Sequence, residues 1–144
     1  MRGWTWLAMC GAAAGCAVTA PGSLPSYSVT GDAIALPLTA DAGDPERGRA
    51  IFSGHDANCF LCHTVPGGRF MGNLASPLAG VGARLNAAQL RLRIVDSARL
   101  NRDTIMPSYY RVDGFNQVAE AWRGKPILTA QQVEDAVAYL LTLR

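Results

Sequence analysis

Apolar residues fall at helical spacing in three stretches of this chain, and no long stretch alternates as a strand requires. The last stretch is the clearest. Val133, Val137, Leu140 and Leu141 stand at i, i+4, i+7 and i+8, one face of an amphipathic helix. Thr129-Ala130-Gln131-Gln132 before them has the form of a capping box, in which hydroxyl and amide each satisfy an orphan backbone N–H. The middle stretch repeats the device. Asn86-Ala87-Ala88-Gln89 precedes Leu90, Ile94, Val95 and Ala98. In the first stretch Asp44 suits an N-cap and Pro45 the first helical position. Ala50, Ile51 and Phe52 then supply an apolar face, and Gly54 a stop. The pattern predicts an all-α domain over residues 43–144 with three main helices and no internal repeat. Residues 64–85 are rich in glycine, carry Pro66 and Pro77, and are expected to be loop.

Ahead of this domain the pattern changes twice. Residues 21–42 contain Pro21, Pro25 and Pro37, and short alternating runs flank a polar turn at Thr30-Gly31-Asp32. They predict an extended, surface-lying arm with a small hairpin. Residues 1–20 hold Arg2 followed by an Ala-rich apolar run with no acidic residue. A basic start, an apolar middle and small residues at the end predict a secretory signal, with an uncleaved anchor helix as the alternative. The run is short for a bilayer span of about 20 residues. Val18-Thr19-Ala20 offers small residues for cleavage, but Pro21 follows it. Ala13-Ala14-Gly15-Cys16 has the form of a lipoprotein site without its usual leucine, so Cys16 is a candidate for acylation and membrane tethering.

Composition sharpens the picture at two points. The 144 residues are 49% hydrophobic and 17% charged, which excludes wholesale disorder. The net charge of +2 gives no support to a nucleic-acid role. Yet 15 glycines and 8 prolines thread the chain with turns, and three short helices share little apolar surface. Long loops in a compact domain usually serve a function. Something other than side chains is expected to fill the middle.

Cys59-Phe60-Leu61-Cys62-His63 supplies the candidate. Cys-x-x-Cys-His is the attachment signature of c-type haem. The spacing puts both thiols on one turn for thioether bonds to the two vinyl groups, and His63 beside them for the iron. A redox dithiol is the competitor, but it wants a βαβ context that this chain lacks. A zinc site wants two more ligands, and only His55 remains. Export fits haem too: removal of residues 1–20 removes Cys10 and, unless it is acylated, Cys16. For the second axial position the candidates are Met106, Met71 and His55. Met106 is favoured, because it follows the middle helix and Pro107 fixes the backbone there. A His/Met pair suits electron transfer rather than oxygen chemistry.

With these residues in place, the domain resembles the class I cytochromes c. Gly48 and Phe52 match that family's helix–helix contact, which implies packing on Tyr139 and Leu140. Ser76-Pro77-Leu78-Ala79-Gly80 resembles the loop whose proline carbonyl accepts a hydrogen bond from the proximal histidine, which implies that role for Pro77 toward His63. Three further segments narrow the resemblance to the SoxX family of sulfur-oxidation cytochromes. They are Val81-Gly82-Ala83-Arg84-Leu85, Asp103 to Arg111, and Gly124 to Leu140. Arg102 departs from it, standing where that family commonly carries proline.

The resemblance implies one covalently attached haem c, anchored by Cys59 and Cys62, with iron ligands His63 and Met106. It implies a periplasmic heterodimer with a SoxA-like haem protein. That complex acts as an L-cysteine S-thiosulfotransferase, oxidatively joining thiosulfate to a cysteine of a SoxY-type carrier. The present chain alone is then an electron carrier, passing electrons to a cytochrome c acceptor. The alternative is a free-standing periplasmic electron-carrier cytochrome c. Arg84, Arg91, Arg93, Arg99 and Arg102 cluster around the middle helix. They read either as a patch that steers an acidic partner or attracts thiosulfate, or as a solvated helix face. Tyr109, Tyr110 and Trp122 read as haem cover, partner interface or core.

Overall fold

The computed structural model describes Leu24, residues 26–69 and residues 71–144. The expected signal sequence over 1–20, Cys10 and the candidate lipid site at Cys16 lie outside the described residues. Among the described residues four α-helices follow one another: α1 (Pro45–Ser53), α2 (Val81–Arg84), α3 (Ala87–Val95) and α4 (Ala130–Thr142). No strand occurs among the described residues, only a lone bridge between Thr30 and Ala33 around Gly31 at φ +59°. No helix among them is long and apolar enough to cross a membrane. The caps are those the sequence predicts. Asp44 caps α1, Gly54 ends it, and α3 and α4 each open on a complete capping box. Two details differ. The glycine-rich segment forms the short α2, because Gly82 lies against the last turn of α4 and its N–H donates to the Leu143 carbonyl at 3.0 Å. The middle helix stops at Val95, before Ala98. Tyr109 and Tyr110 donate their N–H groups to the carbonyls of Ile94 and Val95, which a longer helix would have needed.

α4 is the spine. α1 crosses it so closely that a Cβ on Gly48 would run into the Asp135 carbonyl and the Tyr139 Cβ. Phe52 then meets Tyr139 edge-on at 5.0 Å between ring centroids, a pair worth about 0.5–1.5 kcal/mol beyond its buried area. Asp135 fixes the crossing from the side. It accepts from the Asp44 N–H and from the Arg47 Nε and Nη2, each at 2.8 Å. Burial works against ionisation of this carboxyl, but the Arg47 guanidinium and the Asp44 N–H outweigh it and hold the group below its ordinary value. The arm lies across α3 and α4 and is more than a surface strand. Ile34 and Leu38 are buried, the Ile34 N–H donates to Ala88, and the Leu38 N–H donates to the Glu134 carboxylate. Arg91 completes that corner, reaching Glu134 through Nε at 2.7 Å and Nη2 at 2.8 Å and the Ile34 carbonyl through Nη1.

Candidate functional site

The helices do not close over one side of the molecule. There they surround a cavity of about 670 Å³, within the ~300–1,000 Å³ usual for cofactor sites. Phe52 of α1, Val81 of α2, Leu90 and Ile94 of α3, and Ala136 and Leu140 of α4 all face it. So do Cys59, Cys62 and His63 from one loop and Met106 with Pro107 from another.

The cysteine motif sits on a 3₁₀ turn, Cys59–Leu61, entered through Asn58 in the left-handed region at φ 43°. The Cys59 carbonyl accepts from the N–H groups of both Cys62 (3.2 Å) and His63 (3.0 Å). One tight turn therefore carries both sulfurs and the imidazole. Burial pushes the Cys59 thiol up to about 12, the opposite of the lowered value that an attacking redox dithiol needs. Neither cysteine is in a disulfide. His63 Nδ1 lies 2.8 Å from the Ser76 carbonyl oxygen. A carbonyl only accepts, so Nδ1 carries the proton and Nε2 keeps its lone pair for a metal. The oxygen belongs to Ser76 and not to Pro77, which corrects the role drawn for Pro77 by resemblance. Pro77 acts one peptide earlier: it restricts Ser76 to extended backbone, and the carbonyl between the two residues faces the imidazole.

Of the three candidates for the second axial position, one reaches the cavity. Met106 lines it. The sulfur of Met71 is engaged in its own loop, where it accepts from the Val65 N–H at 3.3 Å. His55 is fully exposed beside Asp56. The Met106 segment is strapped to the end of α3. The Ser97 hydroxyl donates to the Met106 carbonyl at 2.6 Å, and the Met106 N–H donates to the Thr104 hydroxyl at 3.1 Å. Ser108 donates to the Asp96 carboxylate at 2.8 Å. Sequence reasoning missed Ser97 and Ser76. A polar residue directly after the α3 face was the one signal for Ser97; Ser76 had none apart from its proline. The three aromatic candidates separate. Tyr109 lines the cavity and donates its hydroxyl to the Ala57 carbonyl at 2.9 Å. Tyr110 is core, its ring tilted against that of Tyr27 at 6.3 Å between centroids, and Trp122 is exposed.

These residues fit a haem. The cavity is apolar and of the right size, the paired thiols share one turn at its edge, and the donor set is one imidazole nitrogen and one thioether. The family model for cytochrome c matches residues 45–144, which is the whole region that builds the cavity. The chain belongs to the cytochrome c family. Membership implies a covalently bound haem c. A crystal structure of SoxXA from P. pantotrophus superposes with a TM-score of 0.74 at 38% identity, covering 81% of this chain and 93% of that one. Within the family this chain is a SoxX-type monohaem cytochrome. Among curated proteins, no sequence matches it.

Proposed function

We propose that this cytochrome is the electron-transfer subunit of a periplasmic SoxAX-type complex. In that complex thiosulfate and a carrier cysteine thiol form an S–S bond, releasing one proton and two electrons. The partner is a SoxA-type haem protein, the carrier is of the SoxY type, and the electrons leave to a cytochrome c acceptor. The observation that carries the proposal is the single cavity onto which Cys59, Cys62, His63 and Met106 converge. Cys59 and Cys62 would anchor the cofactor by thioether bonds, and His63 Nε2 and Met106 Sδ would ligate its iron. A haem held there supplies a one-electron redox couple at the iron. Ser76 sets the imidazole tautomer, and Ser97 with Thr104 fixes the thioether segment. The apolar lining from Leu78, Val81, Leu90, Ile94 and Leu140 excludes water and lowers the cost of rearranging solvent around the redox centre.

The test has three parts. Colour that survives acid–acetone extraction is expected from the thioether bonds, and its loss would refute covalent attachment. Met106→Ala is expected to abolish the Met–iron absorption band, while Met71→Ala leaves it; the reverse outcome would overturn the ligand assignment. Co-expression with a SoxA-type protein is expected to yield a stable heterodimer. A strictly monomeric product would instead favour a free-standing electron carrier.

A further inference from the structure

The five clustered arginines do not form one patch. Arg91 is buried on Glu134. Arg84 donates to the Ala79 carbonyl, and Arg93 to the Gln89 carbonyl with Asp32 at 3.6 Å. Arg99 and Arg102 remain: both are exposed, and their guanidinium groups have no hydrogen-bond or ion-pair partner among the described residues. They meet a third arginine from another segment. Arg99, Arg102 and Arg111 line a second cavity of about 480 Å³, together with Asp96 and Ala98.

Arg111 is held in a set orientation. Its Nη1 lies 3.2 Å from the Asp96 carboxylate, and its guanidinium stacks 4.6 Å from the Phe115 ring centre. Its Nε is buried and has no hydrogen-bond partner among the described residues. A buried cationic N–H without an acceptor is costly and uncommon. Asp96, itself engaged by Ser108, is the one acidic side chain in the lining and offsets one of three positive charges.

We propose that Arg99, Arg102 and Arg111 form a binding site for a small doubly charged oxyanion, the class that includes sulfate and thiosulfate. Two uncompensated charges match a dianion. Several planar N–H forks match a group with oxygens on more than one side, better than a single carboxylate does. Apart from Ala98 the lining is polar, so an apolar ligand gains nothing there. The site does not depend on the electron-transfer reading. Only its value to the complex does: it would collect the anionic substrate class close to the redox chain.

Calorimetric titration of the haem-loaded full chain with sulfate and with thiosulfate tests this, with ionic strength held constant by sodium chloride. Saturable binding of one anion per chain is expected, weakened roughly tenfold or more in the Arg99→Ala/Arg102→Ala double variant. The two arginines are exposed, so the visible absorption spectrum of that variant is expected to match the parent. Binding that chloride abolishes at equal ionic strength, or equal affinity in the double variant, would overturn the site. An intact spectrum and an intact heterodimer without anion binding would sink this inference alone.

Discussion

The middle of α4 and the end of α3 each hold a distant segment in place, by different means. On α4, Glu134 and Asp135 are adjacent buried carboxylates that face different neighbours. Each receives a two-pronged guanidinium and one backbone N–H: Arg91 and Leu38 on Glu134, Arg47 and Asp44 on Asp135. Together they tie the arm, α3 and the start of α1 to one turn of helix. At the end of α3, the Ser97 hydroxyl holds the Met106 carbonyl, and Asp96 takes the Ser108 hydroxyl and an ion pair from Arg111, beside the backbone bonds from Tyr109 and Tyr110. Buried charges with every oxygen satisfied anchor a fold all-or-none, because removal of one partner strands the other. A hydroxyl on a carbonyl contributes little to stability but sets where an atom sits. The difference teaches a division of labour. The packed side of the molecule keeps the chain folded, and the cavity side keeps one thioether in position.

The largest effect is expected where that comparison is broken at α4. Glu134→Ala leaves Arg91 buried and unpaired and is expected to cost about 3–5 kcal/mol, read from the denaturation midpoint of the haem-loaded protein. The fraction that remains folded is expected to keep the Met–iron band of the parent. A loss below about 1 kcal/mol would mean that Arg91 turns out to solvent, and that the corner is not an anchor.

Ser97→Ala sharpens the comparison from the other side. Its cost in stability is expected to be small, about 1 kcal/mol. Its signature is expected in the Met–iron band and the reduction potential, both restored by Ser97→Thr, which keeps the hydroxyl. A variant that loses stability with an unchanged band and potential would make Ser97 merely structural.

This division explains what was legible in the chain. The packed side rests on local signals: two capping boxes, an N-cap with proline behind it, and apolar residues at helical spacing. Cys59, Cys62 and His63 were legible for the same reason, since their chemistry depends on five consecutive residues. The rest depends on pairs far apart in sequence. Arg91 lies three residues before Ile94 and four before Val95, so it shares their buried face of α3, but its burial makes sense only once Glu134 arrives from 43 positions away. The same holds for Arg111 beside Arg99, and for the carbonyl of Ser76 in place of that of Pro77. A basic cluster in the sequence was therefore three different things in space: a buried clamp, two helix and loop contacts, and two of the three arginines of the proposed anion niche.

The smallest effect separates the two clamps of α4 from each other. Arg91 is buried on Glu134, whereas Arg47 reaches Asp135 from an exposed position. Asp135 ionises below its ordinary value of 3.8 in the folded protein. A group with a lowered folded value stabilises the fold fully above its unfolded value and loses that contribution as pH falls through the folded one. Asp135→Asn is therefore expected to melt below the parent near neutral pH, by on the order of a few degrees. The gap is expected to start closing as pH falls below the ordinary value of 3.8, and to be gone once pH has passed the lowered value at which the folded carboxylate takes up its proton. Added salt is expected to narrow the gap at neutral pH, because the Arg47 side of the pair faces water. A gap that stays constant down to about pH 2 would assign the effect of Asp135 to its hydrogen bonds with Asp44 and Gln131, and leave Arg47 with no part in the clamp.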